Sequence, residues 1–196
     1  MKILQTPINP DEVRSLKVYD TIGITGRVFT ARDAAHEKLL ALKKEGKPLP
    51  FAVGDYPCFH CGPVMRRTND LWEVVSAGPT TSIRMEIFED EFMDAFGTRI
   101  FIGKGGMGER TSEALKKNGG VYAQFTGGAG SLMAGAVKRV VDVFYLDELG
   151  IPEAIWLLEV VKFGPLLITM DSAGRSIHRT LAGKVVENLE RLKKTL

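Results

Sequence analysis

The sequence predicts a mixed α/β fold that forms a single domain over residues 1–196. Strand-like segments, in which apolar residues alternate or run together, are interleaved with segments whose apolar residues recur at helical spacing. The chain shows no long linker, internal repeat or low-complexity tract that would divide it. With 44% hydrophobic residues, a chain of 196 residues can bury one substantial core.

The first predicted strand covers residues 17–29, where β-branched residues and a period-2 pattern occur together. The sequence TARD at 30–33 then resembles a capping box, with aspartate in place of the usual glutamate at its fourth position. We therefore expect a helix to begin there and to place Arg32 in its first turn. It should run to about Lys44, because Gly46 can end it.

A second helix is predicted over residues 85–96, where apolar residues recur at helical spacing as far as Gly97. The short apolar run at 100–102 is typical of a buried strand. It leads directly into a glycine-rich turn that contains Lys104. We therefore expect this lysine to lie on a loop at the exit of a strand.

The remaining elements continue the alternation of strand and helix. Residues 121–125 read as a strand that leads into a glycine-rich loop at 126–131 and then a helix. Two late strands are predicted at 156–163 and 166–170. The chain is expected to close with a helix over residues 175–196.

The charge balance argues against nucleic acid or a membrane surface as a partner. Lysine and arginine total 26 against 24 acidic residues, so the chain has no bulk field of either sign. The longest uncharged run, 118–137, is interrupted by several glycines and polar residues, which argues against a membrane span. Sparse cysteine and the absence of a leader-like start predict a cytoplasmic protein.

The sequence CFHC, which contains Cys58, His60 and Cys61, raises the question of a zinc site. A structural zinc ion takes four ligands, and the other histidines, His36 and His178, are distant in sequence. We therefore expect ordinary thiols in a loop and no metal ligands in this chain. A small zinc protein remains an alternative, and stoichiometric zinc in the purified chain would support it.

Three loops, at 78–82, 103–106 and 126–131, share the features of an anion site. Each follows an apolar run, is rich in glycine, threonine or serine, and offers a cation or free backbone N–H groups. Any one of them alone is more often structural. Neither the phosphate-loop pattern nor the dinucleotide fingerprint is matched, so the combination of the three loops carries the prediction.

Several motifs in a fixed order carry a family resemblance. They are Thr25-Gly26-Arg27, Ala31-Arg32-Asp33-Ala34-Ala35-His36, Gly78-Pro79-Thr80-Thr81-Ser82 with Arg84-Met85, Ile102-Gly103-Lys104-Gly105, Gly127-Gly128-Ala129 and Glu153-Ala154-Ile155-Trp156. Together they resemble the β-subunit, or C-terminal catalytic region, of class I iron–sulfur fumarate hydratases and L-tartrate dehydratases. The resemblance covers nearly the whole chain.

This resemblance implies a swivelling β/β/α fold and a hydro-lyase that works as a hetero-oligomer. It implies a [4Fe–4S] cluster ligated by a separate α-subunit, because cluster ligation takes cysteines from that region. Two closely spaced cysteines in this chain are consistent with that division. The chain alone is therefore expected to be inactive.

The resemblance also assigns roles to individual residues. Arg32 and Arg84 match the arginines that bind substrate carboxylates, Lys104 matches a lysine of the same site, and Thr80 matches the hydroxyl that serves as catalytic base. Thr80 can alternatively be a substrate ligand or a helix cap. Possible supporting residues are Asp33, His36, Thr81, Gly127 and Gly128, with Asp33 and His36 expected to orient Arg32 or to complete the start of the helix.

The expected substrate is a C4 dicarboxylate, with fumarate favoured over tartrate. Both substrates would engage the same cations, so the residues above do not separate them. A third alternative is a non-catalytic carboxylate-binding or scaffold subunit. Such a subunit would show no hydratase activity with any partner.

Overall fold

The computed structural model describes residues 1–194 and contains a seven-stranded sheet and a separate two-stranded hairpin. The strands are β1 (Lys2–Gln5), β2 (Thr21–Thr30), β3 (Cys58–Phe59), β4 (Val64–Thr68), β5 (Leu71–Ser76), β6 (Ile100–Gly103), β7 (Val121–Gln124), β8 (Val137–Phe144) and β9 (Ile155–Met170). Strands β4 and β5 form the hairpin. The predicted mixture of strands and helices is confirmed.

Helices occupy the connections between the strands. They are α1 (Pro10–Arg14), α2 (Asp33–Lys44), α3 (Glu89–Phe96), α4 (Glu109–Asn118), α5 (Gly130–Ala134), α6 (Leu146–Leu149) and α7 (Ile177–Lys193). A 3₁₀ turn, Ser82–Ile87, immediately precedes α3. Across residues 1–194, no helix combines the length and the apolar character needed to cross a membrane.

The sheet has the strand order β1-β2-β3-β6-β7-β9-β8. Its first five strands run parallel to one another, whereas β9 runs antiparallel to β7 and β8. Strand β9 also pairs antiparallel with β2. It therefore joins both sides of the parallel strands and closes them into a ring.

Two apolar cores lie on opposite faces of the parallel strands, because successive side chains of a strand point in opposite directions. Phe101 belongs to the core that contains Leu39 of α2 and Phe92 of α3. Its neighbour Ile102 belongs to the core on the other face, which also contains Trp156 of β9. Helices α2, α3 and α4 thus cover one face, while strand β9, the hairpin and the short helices α1 and α5 pack on the other.

The predicted helix at Asp33–Lys44 is confirmed, but its predicted capping box is wrong. Strand β2 continues through Thr30, which pairs with β3. The buried Thr30 hydroxyl accepts a hydrogen bond from Trp156 N–H at 3.1 Å instead of capping the helix. The N-cap position is Arg32. Gly46, with a φ of +65°, follows the end of the helix as expected.

The two late strands predicted at 156–163 and 166–170 form one long strand, β9. Its backbone stays paired through an irregular segment in which Lys162 and Gly164 both have positive φ. The closing helix is confirmed as α7, Ile177–Lys193. Residues 195–196 of that predicted helix lie outside the described residues.

Candidate active site

Parallel strands β2, β3, β6 and β7 end at one edge of the sheet. The loops that follow them carry most of the predicted site residues. Arg32 follows β2, Lys104 follows β6, and Gly127 and Gly128 follow β7. In α/β sheets, ligands commonly bind at the carboxyl ends of the parallel strands. The topology therefore brings residues that are distant in sequence to one edge.

Thr80 is held at the same edge by the segment that follows β3. Its backbone N–H donates a hydrogen bond to the carbonyl of His60 at 2.7 Å. The preceding Pro79 forms an antiparallel bridge with Cys61. These contacts fix the backbone of Thr80, while its side chain remains partly exposed.

Lys104 is joined to the other side of the same loop. Its backbone forms a parallel bridge with Thr81, and its carbonyl accepts a hydrogen bond from Ser82 N–H at 3.2 Å. The lysine side chain passes over Gly127, where an added Cβ would lie 3.3 Å from Lys104 Cδ. Gly127 thus makes room for the ammonium group. Gly128 turns the chain with a φ of +78°.

Arg84 forms a two-point ion pair with Asp33. Arg84 Nε lies 3.2 Å from Asp33 Oδ1, and its terminal nitrogen lies 3.0 Å from Oδ2. The arginine side chain is still 52% exposed. Asp33 is expected to orient Arg32 or to complete the helix start; it is the first residue of α2, and its carboxylate contacts Arg84 rather than Arg32.

Thr80 and Arg84 do not lie on one helical turn. The 3₁₀ turn begins at Ser82, with Thr81 at its N-cap position. Thr80 therefore precedes the turn, so a spacing of four residues does not stack the two side chains as it would within an α-helix. A cap position at Thr81 also argues against the role of Thr80 as a helix cap.

Arg32 is oriented by Glu153, a residue to which the sequence assigned no role. Arg32 Nε lies 3.1 Å from Glu153 Oε1, and the other carboxylate oxygen accepts a hydrogen bond from Ala34 N–H at 3.2 Å. The arginine also passes close to Gly62, where a Cβ would lie 2.8 Å from its terminal nitrogen. The family resemblance includes both the motif that contains Arg32 and the motif that contains Glu153. That shared occurrence is the sequence signal that could have pointed to Glu153.

His36 lies beneath this edge rather than in it. It is fully buried, and its Nδ1 lies 2.8 Å from the carbonyl of Arg32. Its Nε2 lies 3.5 Å from the carboxylate of Glu89, and Nε2 of His60 lies 2.7 Å from the same carboxylate oxygen. His36 therefore contacts the backbone of a site residue and belongs to a buried charged group.

For His36 and Glu89, the opposite charges of the group shift the pKa more than burial does. Burial by itself lowers the pKa of His36, but the charge of Glu89 and its contact with the imidazole raise that pKa overall. Burial by itself raises the pKa of Glu89, and the charges of His36 and His60 more than offset it, so the carboxyl pKa is lowered. Both shifts favour the charged forms of His36 and Glu89.

The exposed groups at the edge suit an anion with more than one carboxylate. Each guanidinium presents a planar fork that can grip a carboxylate, and the ammonium of Lys104 adds a compact point charge. Asp33 and Glu153 each engage one side of an arginine and so fix its direction. Thr80 and Thr81 lie in the loop just before the turn that carries Arg84, and Thr81 is bridged to Lys104.

Comparison with known proteins shows the family of the chain. The model of a family described as "Fumarase C-terminus" matches residues 2–181. The chain belongs to the fumarase C-terminus family. L(+)-tartrate dehydratase subunit beta of Escherichia coli K12 is 40% identical over 176 residues, which are 90% of this chain and 86% of that protein.

Other relatives carry related names. A candidate L(+)-tartrate dehydratase subunit beta of Methanocaldococcus jannaschii is 44% identical over 181 residues, 92% of this chain and 93% of that protein. A candidate class I fumarate hydratase of Geobacillus stearothermophilus is 43% identical over 191 residues, 97% of this chain but 36% of that protein. The fumarase C-terminus family thus occurs both as a separate subunit and as part of a longer chain.

The sequence predicts ordinary loop thiols at Cys58 and Cys61, whereas the structure encloses both side chains. Cys58 begins β3, Cys61 bridges to Pro79, and their side chains are 0% and 1% exposed. Burial raises the pKa of both thiols. Iron–sulfur clusters are held by cysteine thiolates. A [4Fe–4S] cluster is typically held by four cysteines, so the two thiols within residues 1–194 do not fit such a cluster by themselves.

Proposed function

We propose that this chain is the β-subunit of a class I [4Fe–4S] fumarate hydratase, which converts fumarate reversibly to L-malate together with an α-subunit. The observation that carries the proposal is the arrangement of Thr80, Arg32, Arg84 and Lys104 around one sheet edge. Family membership supports the hydro-lyase reaction class. The cytoplasm is the proposed location.

The cationic side chains at this edge of the sheet bind the substrate. The two guanidinium groups bind the two carboxylates of the substrate, and the ammonium of Lys104 stabilises the negative charge that develops as a C3 proton leaves malate. Glu153 and Asp33 orient the guanidinium groups without occupying every N–H donor. Both arginines therefore present donors before substrate arrives.

Thr80 is the proposed group for proton transfer at C3. A threonine hydroxyl is a weak base in water, so its deprotonated form requires nearby cations. The backbone of Lys104 bridges to the neighbouring Thr81, and we propose that its ammonium supplies such a charge. An acidic group of the α-subunit completes the proposed proton path. A role for Thr80 as substrate ligand is the alternative.

The cluster is assigned to the α-subunit because the thiols of this chain do not fit it. No chemical step of this chain is therefore routed through iron. What the β-subunit contributes is carboxylate binding, orientation and a hydroxyl. The exposed edge also implies that the α-subunit covers the substrate from the other side and excludes water.

L-Tartrate dehydration is a second candidate. Its support is the naming of relatives at 40% and 44% identity, which cover most of this chain. Tartrate is also a C4 dicarboxylate and would engage the same cations. The fumarate hydratase relative is equally similar, at 43% identity, so sequence identity does not separate the two reactions.

The test is co-expression with the α-subunit, anaerobic cluster reconstitution, and assay on fumarate, L-malate, L-tartrate and mesaconate. Turnover of fumarate and malate with the highest kcat/KM supports the proposal. A preference for tartrate selects the second candidate. A stable complex with a full cluster and no turnover of any substrate would favour the non-catalytic subunit.

A further inference from the structure

Five polar residues form a buried polar cluster under the candidate active site. Its members are His36, His60, Ser82, Glu89 and Tyr122, each with 0% exposure. They come from α2, the end of β3, the 3₁₀ turn, the start of α3 and β7. Burying so many polar groups costs free energy unless they are compensated. The cluster therefore calls for a role beyond filling space.

The members contact one another in a continuous chain. The hydroxyl of Tyr122 donates to Ser82 Oγ at 2.8 Å, and Ser82 Oγ lies 3.0 Å from His60 Nδ1. The other imidazole nitrogen of His60 lies 2.7 Å from Glu89. Gly103 is required beside this chain, because a Cβ there would overlap Ser82 Oγ.

The same cluster contacts the backbone of the site residues. His36 Nδ1 lies 2.8 Å from the carbonyl of Arg32. The carbonyl of His60 accepts the N–H of Thr80. Ser82 N–H donates to the carbonyl of Lys104, and Ser82 also begins the turn that contains Arg84. One hydrogen-bonding contact therefore joins each of Arg32, Thr80 and Lys104 to the cluster, and Arg84 lies in the same 3₁₀ turn as Ser82.

Glu89 is the central member. Its carboxylate lies between His36 and His60, at 3.5 and 2.7 Å from their Nε2 atoms. Neither of its oxygens makes a hydrogen bond of full geometry with any of residues 1–194. The carboxylate is therefore the group that His36 and His60 share, and removing its charge weakens that shared contact.

A metal ion is the competing explanation, because His36, Cys58 and His60 place one possible ligand atom each within 4.8 Å of one another. Tetrahedral zinc, with metal–nitrogen distances of about 2.0–2.1 Å, separates its nitrogen and oxygen ligands by about 3.3 Å. His60 Nε2 and the Glu89 carboxylate oxygen lie 2.7 Å apart, which is closer than two ligands of one tetrahedral zinc ion. This separation argues against one zinc ion held by His60 and Glu89 together, and metal analysis of the purified chain tests a site formed by His36, Cys58 and His60.

We propose that the buried polar cluster, through the charge of Glu89, positions the loop that carries Thr80 against Arg32 and Lys104. The inference rests on the function proposed above, since it assigns Glu89 as a positioning residue for that reaction. Glu89 is enclosed and does not touch substrate. Its effect passes through the imidazoles to the backbone.

The experiment uses Glu89→Gln, which keeps the side-chain shape and removes its charge. Asp171→Asn is the matched control, because Asp171 is also a buried carboxylate with several hydrogen bonds, but it serves the turn before α7. Tyr122→Phe is a milder second variant that removes one hydroxyl of the cluster. Each variant is made in the full chain and in the reconstituted complex.

Amide hydrogen exchange in the full chain gives a readout that does not depend on activity. Glu89→Gln should speed exchange at Thr80 and Ser82 by about tenfold or more, with Ile168 of β9 unchanged. Tyr122→Phe should produce a smaller change at the same amides. In the complex, Glu89→Gln should lower kcat by about tenfold or more at temperatures well below its Tm. Asp171→Asn should lower Tm without these effects.

Three results would overturn the proposal. One is unchanged exchange at Thr80 and Ser82 in both cluster variants. Another is faster exchange throughout the chain with kcat retained, which would show a purely structural role. The third is stoichiometric zinc or iron in the purified chain that is lost in Cys58→Ala. If the wild-type complex turns over no substrate, the proposed function fails, while the exchange measurements still test the positioning by Glu89.

Discussion

Arg84 and Asp33 form a two-point ion pair that links the 3₁₀ turn to the first turn of α2. The pair connects residues that are 51 positions apart in sequence. It sets the direction of a guanidinium whose side chain remains half exposed. A carboxylate substrate therefore meets an arginine that is already oriented.

Replacing Arg84 with lysine should weaken substrate binding and transition-state stabilisation together. The variant keeps the charge but loses the planar fork, which we expect to cost about 2–4 kcal/mol where the carboxylate is desolvated. Steady-state kinetics of the complex should show a higher KM and a lower kcat. Arg66→Lys is the control, since Arg66 contacts Glu73 through two nitrogens on the exposed hairpin. Equal loss in both variants would argue against a site role for Arg84.

Replacing Thr80 with valine should separate its possible roles. If the hydroxyl is the base, kcat falls by roughly 100-fold or more with little change in KM. Exchange of the malate C3 proton with solvent should slow in parallel, as NMR in D₂O can measure. Thr68→Val, on the exposed strand β4, controls for the loss of a hydroxyl. A raised KM with near-normal kcat would make Thr80 a substrate ligand.

The chain purified alone should be colourless and inactive. Two enclosed thiols with raised pKa do not hold a cluster, so cluster absorbance and iron should appear with the α-subunit. Cys61→Ala should leave the iron content of the complex unchanged, although the lost packing should lower its Tm. Near-stoichiometric iron and malate turnover by this chain unaided would contradict the division between subunits.

The stability contributed by His36 and Glu89 should depend on pH in a defined way. The raised pKa of His36 gives stability that is complete below about pH 6.5 and lost as pH rises through the folded-state value. The lowered pKa of Glu89 gives stability that is complete above about pH 4.3 and lost as pH falls through its folded-state value. The difference in urea midpoint between wild type and Glu89→Gln should therefore be largest between these pH values. A difference that stays constant up to pH 9 would contradict the buried charge pair.

The elements that sequence predicted well are those with strong local patterns. Helix α2 and strand β6 have strong apolar patterns and are each followed by glycine. These patterns allowed the sequence to predict that Arg32 lies at the start of the helix and that Lys104 lies at the exit of a strand. The partners of these residues were not predictable in the same way. No local rule relates Asp33 to Arg84 across 51 positions. Glu89 lies in the acidic sequence EDE, which is typical of an exposed helix start, and tertiary packing buries it.

Strand β9 completes the ring of parallel strands with hydrogen bonds that come from this chain itself. Because β9 pairs with β2 and β7, their edges need no strand from a neighbouring polypeptide. Splitting a longer gene ahead of such a unit, or fusing the two pieces again, leaves this hydrogen bonding intact. The same unit can therefore pass between one-gene and two-gene enzymes during evolution without refolding its interior.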